Sequence, residues 1–167
     1  MQMSRITYLT LLTAVGIASA ASLSPTDKQF MISAARTDMT QAHEGQMAQN
    51  QGRRDDVKNF AKTLVQDHTN SYTQLSELAA KEGVSIPKGI NASRNPSIRL
   101  LAHLTGQRFD QAFTKDEIAS ERQTIAVFKR EAAHGKDVEV KAYANKMIPV
   151  LEKHVQLAEA CAKTKRS

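Results

Sequence analysis

Residues 140–161 read VKAYANKMIPVLEKHVQLAEAC, in which Val140, Ala144, Met147, Leu151, His154, Ala158 and Cys161 form a seven-residue repeat of mostly apolar positions. Steps of three and four residues put these side chains on one face of an α-helix. The pattern extends back through the chain. From Asp55 onward, Val57, Phe60, Ala61, Leu64, Val65, His68, Tyr72, Leu75, Leu78 and Ala79 make one continuous apolar face that Gly83 ends. Ser24, Pro25 and Asp27 supply an N-cap, a first-turn proline and a dipole-complementing carboxylate for a first helix that runs to Gly52. A third long helix is predicted from near Arg108 to His134, before Gly135, and Asp137 caps the fourth. Pro149 lies inside that last helix and should kink it, because it frees the carbonyl of Asn145.

Pro87, Gly89, Asn91, Asn95 and Pro96 mark one long connection over residues 84–96, and a short helix through Leu101 and Leu104 to Gly106 follows. Four helices of similar length with two short connections and one longer one predict an all-α, antiparallel four-helix bundle whose short extra helix lies between helices 2 and 3. No internal repeat is recognised.

Composition agrees with this reading. Of 167 residues, 41% are hydrophobic and 24% charged, which is globular, and seven Gly with four Pro are too few for a turn-rich β-fold. One Cys excludes an intramolecular disulfide and any multi-cysteine metal site. Twenty-three Lys plus Arg against 17 Asp plus Glu suggest an acidic partner, with nucleic acid first in mind. The N-terminus redirects that thought. Arg5, the uncharged stretch from Ile6 to Ile17 and the Ala18-Ser19-Ala20 site make residues 1–20 a secretory signal peptide, too short in its apolar part to span a bilayer. The mature domain is then 21–167, a periplasmic or envelope protein of a bacterium, with no nucleic-acid partner and no transmembrane segment after cleavage.

Polar side chains on apolar faces carry the most information, because burying them costs free energy unless they find partners. His68 falls between Leu64 and Tyr72, His154 between Leu151 and Ala158, and Glu121 between Phe113 and Phe128 with Glu117 one turn earlier. On the first helix Asp38 and Gln41 share the side of Ala34 and Gly45. With the two short connections placed at a common end, these groups fall within roughly 10 Å of one another in height at about 1.5 Å per residue. Imidazole plus carboxylate is a donor set that first-row transition metals accept. Residues Val65 and Leu151, three before the histidines, are not the Glu that carboxylate di-iron bundles place there, so one ion rather than two is indicated. The other reading is a pair of core histidines satisfied by Glu121 across the bundle. Asp67 reads as a solvent-facing neighbour of His68, Asp110 as a first-turn carboxylate, and Cys161 as a buried small residue.

The runs Ala34-Ala35, Gly45-Gln-Met-Ala48, Val57-Lys-Asn-Phe60-Ala61, Asp67-His68, Gly106-Gln-Arg-Phe109-Asp110 and Leu151-Glu-Lys-His154 bring a family into view. Over about residues 28 to 160 the chain resembles an exported bacterial ferritin-like family, domain-of-unknown-function family 4142, whose members often carry the label "putative outer membrane protein". The resemblance implies a ferritin-like bundle in the periplasm and supplies no activity. Gln41 stands where a Glu is usual in that family, and Glu121 where a His is usual.

Two functions follow. One is a non-enzymatic bundle whose basic surface associates with anionic cell-envelope components or serves envelope stress tolerance. The other is a metal-binding or redox bundle holding one iron, manganese or zinc ion with His68, Glu121, His154 and Asp38 or Gln41.

Overall fold

The computed structural model describes residues 23–164, so the signal peptide read at residues 1–20 lies outside the described residues. Five α-helices, α1 (Pro25–Gln51), α2 (Asp55–Lys81), α3 (Pro96–Ala102), α4 (Gly106–His134) and α5 (Val138–Lys163), account for most of the chain, with a 3-10 turn at Ala92–Arg94 and no strand among the described residues. It is an all-helical bundle. The helix ends obey the capping chemistry of the sequence. Ser24 Oγ accepts from the Asp27 amide at 3.1 Å, and Asp137 accepts from the Glu139 and Val140 amides at 2.9 Å each. Gly83, at φ +64°, takes the left-handed conformation that stops α2.

Some boundaries differ from expectation. Helix α3 ends at Ala102 rather than Gly106, and α4 begins at Gly106 rather than Arg108. Gly106, at φ +60°, allows the chain to turn sharply there. Pro149 lies within α5, and both it and Asn145 are exposed, so water can reach the carbonyl that the proline frees.

The two short connections do not share an end. Gln51 reaches the Leu104 carbonyl and Asp27 reaches the turn after α4, so α1 and α4 are antiparallel. Arg54 bonds the Cys161 carbonyl and Lys81 pairs with Glu139, so α2 and α5 are antiparallel as well. Helices α2 and α4 therefore run the same way, and residues 82–105 cross the length of the bundle. The expected common end placed the connections 52–54 and 135–137 together, whereas they cap opposite ends.

Tight packing of α1 on α2 depends on Gly45, where a Cβ would come within 2.8 Å of Val65 Cγ2 and 3.0 Å of the Ala61 carbonyl oxygen. The apolar core is divided in two. One cluster gathers Phe30, Met31, Leu75, Phe128, Val140, Tyr143 and Leu151; the other gathers Val57, Phe60, Leu64, Leu101, Phe109, Phe113 and Ala158. Between them lies a layer of buried polar groups.

The structure also exposes a repeat that the sequence reading missed. Asp27 and Asp110, Phe30 and Phe113, Asp38 and Glu121, Gly52 and Gly135, Val57 and Val140, and Ala61 and Ala144 are all separated by 83 residues. The α1–α2 hairpin thus corresponds to the α4–α5 hairpin. The two aspartates act reciprocally. Asp110 accepts from the Arg53 and Arg54 amides at 3.0 and 3.2 Å, and Asp27 accepts from the Lys136 and Asp137 amides at 3.0 and 2.9 Å. Asp110 is therefore a buried clasp on the other hairpin's turn, not merely a first-turn carboxylate.

Candidate metal centre

The middle of the polar layer is a hydrogen-bonded chain that crosses four helix contacts. His68 on α2 turns Nδ1 to Asp38 Oδ1 on α1 at 2.9 Å and Nε2 to Glu121 Oε1 on α4 at 3.2 Å. His154 on α5 turns Nδ1 to the same Glu121 oxygen at 2.9 Å and Nε2 to Asp67 Oδ2 at 3.0 Å. Beyond Asp38, Ser71 donates to Oδ2 at 2.9 Å and lies 2.7 Å from the Tyr143 hydroxyl. Both imidazoles and Glu121 are fully buried.

The histidines occupy the core for a local reason. They lie on the apolar faces of their helices, and the ring of His154 packs 6.3 Å from that of Phe60 and 5.2 Å from His68. Rings so placed cannot reach water, so every nitrogen needs a protein partner or an ion.

Burial opposes charge on His68, but its hydrogen bonds to Asp38 and Glu121, and their charges, overcome it and push its pKa up to about 10. Burial lifts Asp38 above its ordinary value, against the hydrogen bond and charge of His68 and the hydrogen bonds of Ser71 and Tyr143. Burial also works against the Glu121 carboxylate, yet hydrogen bonds from His154 and His68 hold it below its ordinary value. Each of the four ring nitrogens faces a carboxylate oxygen. With all three carboxylates ionised, two imidazolium rings satisfy the chain; two neutral rings and one divalent cation would carry the same charge.

The donor set fits such an ion on several counts. One donor atom each from His68, Glu121 and His154 lies within 4.8 Å of the others. A first-row ion bound at about 2.1 Å separates tetrahedral ligands by roughly 3.4 Å, against 3.2 and 2.9 Å from Glu121 Oε1 to the His68 and His154 nitrogens. Each ring presents its other nitrogen to a carboxylate, Asp38 or Asp67, which is how ligating histidines are usually oriented. Glu121 Oε2 is buried without a hydrogen-bond partner. Among the described residues this is the sole group of three or more His, Cys, Asp or Glu side chains with that geometry.

The expected ligands therefore separate. His68, Glu121 and His154 converge; Asp38 stands behind His68 as its partner. Gln41 belongs to a neighbouring group, donating from Nε2 to Glu117 Oε2 and Ser120 Oγ at 3.3 Å each. Asp67 is not simply solvent-facing, because its carboxylate orients His154 from the rim. Two buried carboxylates accompany Gln41. Glu117 was visible as a stripe residue one turn from Glu121, while Glu44 was missed. The signal for Glu44 was present: it lies three residues after Gln41, on the same side of α1. Cys161 is buried and unpaired, and burial pushes its thiol up to about 11, which makes it inert at neutral pH.

Comparison with known proteins agrees with the fold. A family described as "Domain of unknown function (DUF4142)" matches residues 12–161. A crystal structure of a DUF305 fragment from Deinococcus radiodurans superposes with a TM-score of 0.75 at 11% identity, covering 85% of this chain and 98% of that one. A "putative spore coat protein" from Bacillus halodurans C-125 superposes with a TM-score of 0.64 at 13% identity, covering 86% and 87%. No curated protein matches.

Proposed function

This chain belongs to the DUF4142 family, a domain of unknown function, and we propose that it is an exported, ferritin-like bundle that holds one divalent transition-metal ion between His68, Glu121 and His154. The observation that carries this reading is the pair of carboxylate-backed imidazoles aimed at one buried carboxylate. One divalent ion would offset the charge of the buried carboxylates in the way that protons on the rings do. A bound iron or manganese would supply one-electron chemistry, and zinc would supply Lewis acidity. The chain's own part is to orient the rings through Asp38 and Asp67 and to exclude water with the apolar clusters on either side.

The ferritin-like assignment is supported by antiparallel neighbours, parallel α2 and α4, and a single long crossover. Export is supported by the sequence of residues 1–20. Association with anionic envelope components has weaker support. Exposed Arg122, Lys129, Lys81 and Lys163 are each paired with a glutamate on the same molecule, which dilutes the basic surface.

Metal analysis of the purified mature protein after exposure to iron, manganese and zinc tests the central claim. About one ion per chain and a raised melting temperature are expected, since a ligand that binds the folded state stabilises it. Less than about a tenth of an ion per chain with an unchanged melting temperature refutes it. N-terminal sequencing tests export, and a mature protein beginning at Met1 would overturn it.

A further inference from the structure

One helical turn along α4 from Glu121, the polar layer contains a second set of groups that the histidine chain does not use. Gln41 Oε1, Glu44 Oε1 and Glu117 Oε1 are all buried and all lack a hydrogen-bond partner. The three side chains are at most 2% exposed. Gln41 gives its amide hydrogens to Glu117 and Ser120, which leaves its oxygen without a partner. An unsatisfied buried acceptor is costly, so three together call for a donor or a cation.

We propose that Gln41, Glu44 and Glu117 form a second cation site, lined only by oxygen and suited to a hard divalent ion such as Mn²⁺ or Mg²⁺. Two carboxylates and an amide oxygen, with no imidazole or thiolate, are the donors such ions prefer. Two members of this group, Gln41 and Glu44, face a groove. This groove of about 420 Å³ between α1 and α4 is lined by Gln41, Glu44, Ser97, Asp116 and Ser120. Asp116 adds negative charge at that groove, where it favours the approach of a cation. Burial pushes Glu44 up to about 7 and raises Glu117 well above the ordinary carboxylate range, a tension that a bound cation would relieve. The alternative occupant is water, which would satisfy the oxygens without selecting any ion.

The test loads the mature protein with one equivalent of zinc, which favours imidazole, and then titrates Mn²⁺ while following the loss of its free-ion electron paramagnetic resonance signal. Wild type should bind about one Mn²⁺ per chain, and Glu117→Gln and Glu44→Gln should each bind it at least tenfold more weakly. The amide at position 117 keeps the shape of the carboxyl group without its charge, so that variant should fold, which circular dichroism checks. Wild type that binds no Mn²⁺, or variants that bind it as tightly as wild type, would overturn the proposal. Zinc measured in the same samples keeps the two sites apart. If zinc does not bind but Mn²⁺ does, and Glu117→Gln abolishes it, the oxygen site stands and the histidine site falls.

Discussion

Replacing His68 with Leu in metal-free protein isolates the energetics of the polar layer. The two side chains are similar in size, so the change removes hydrogen bonds rather than opening a large cavity. Two buried carboxylates lose a partner. Asp38 retains Ser71 at 2.9 Å and the more distant Tyr143 hydroxyl at 3.5 Å, and Glu121 retains His154 at 2.9 Å. Hydrogen bonds to charged groups contribute about 1.5–3 kcal/mol each, and breaking a buried ion pair on one side costs about 3–5 kcal/mol. We therefore expect a loss of about 3–5 kcal/mol. At about 2–4 °C per kcal/mol that lowers the melting temperature by roughly 6–20 °C, and it shifts the urea midpoint by roughly 2 M. The assay is urea unfolding followed by circular dichroism at 222 nm in excess EDTA, with His103→Leu, an exposed histidine, as the control. Adding Asp38→Leu to His68→Leu should recover part of the loss, because it removes one of the two stranded carboxylates and leaves Ser71 and Tyr143 bonded to each other. A His68→Leu protein within about 1 kcal/mol of wild type, or indistinguishable from the control, would refute the buried ion chain.

Glu131 gives the pH dependence. Burial, then its hydrogen bond to Asp27 and that group's charge, push its pKa up to about 7 from an ordinary 4.5. The folded state therefore holds a proton that the unfolded state has lost between about pH 4.5 and 7, and this contribution to stability falls as pH rises through that window. Glu131→Gln, which stays neutral and can still donate to Asp27, should match wild type near pH 4 and exceed it by up to about 3 kcal/mol above pH 8, read from urea midpoints. An equal difference at both pH values would refute the assignment. Asp110→Ala strands the Arg53 and Arg54 amides and should cost about 1–3 kcal/mol, with Asp110→Asn costing less; equal losses would show that the carboxylate is not the clasp. Gly45→Ala gains about 1 kcal/mol of helix propensity but meets the Ala61 carbonyl and Val65, so thermal melting should show a net loss of about 1–2 kcal/mol. A stabilised variant would mean that α1 and α2 can move apart freely.

Much of the fold was legible because it is local. Ser24 and Asp137 mark helix starts through bonds to amides two or three residues away, and Gly83 marks a stop through its own backbone angle. The burial of His68, Glu121 and His154 was legible too, because a polar residue in an apolar stripe declares it, whereas their shared height was reckoned from an end that the two connections do not share. What one helix cannot declare is its neighbour. Asp110 and Asp67 were misread for that reason, since their partners belong to other helices. The direction of α4 escaped as well, because apolar spacing is the same read up or down a bundle. The hairpin repeat was hidden because its matches are scattered apolar and turn residues, while the histidines break it: the counterpart of His68 is Leu151, and that of His154 is Ser71.

The reciprocal aspartate clasps have a consequence for how the halves of the chain relate. Neither hairpin can complete the start of its own second helix, because the carboxylate that satisfies those amides is supplied by the other hairpin. A lone hairpin would still carry both an aspartate near its first helix's start and a turn with free amides. It is therefore self-complementary in the manner of an isologous dimer, able to clasp a second copy of itself through the bonds it now makes to its companion. The crossover of residues 82–105 turns that intermolecular handshake into an intramolecular one, and so frees the two hairpins' polar residues to differ, as His68 and its counterpart Leu151 do.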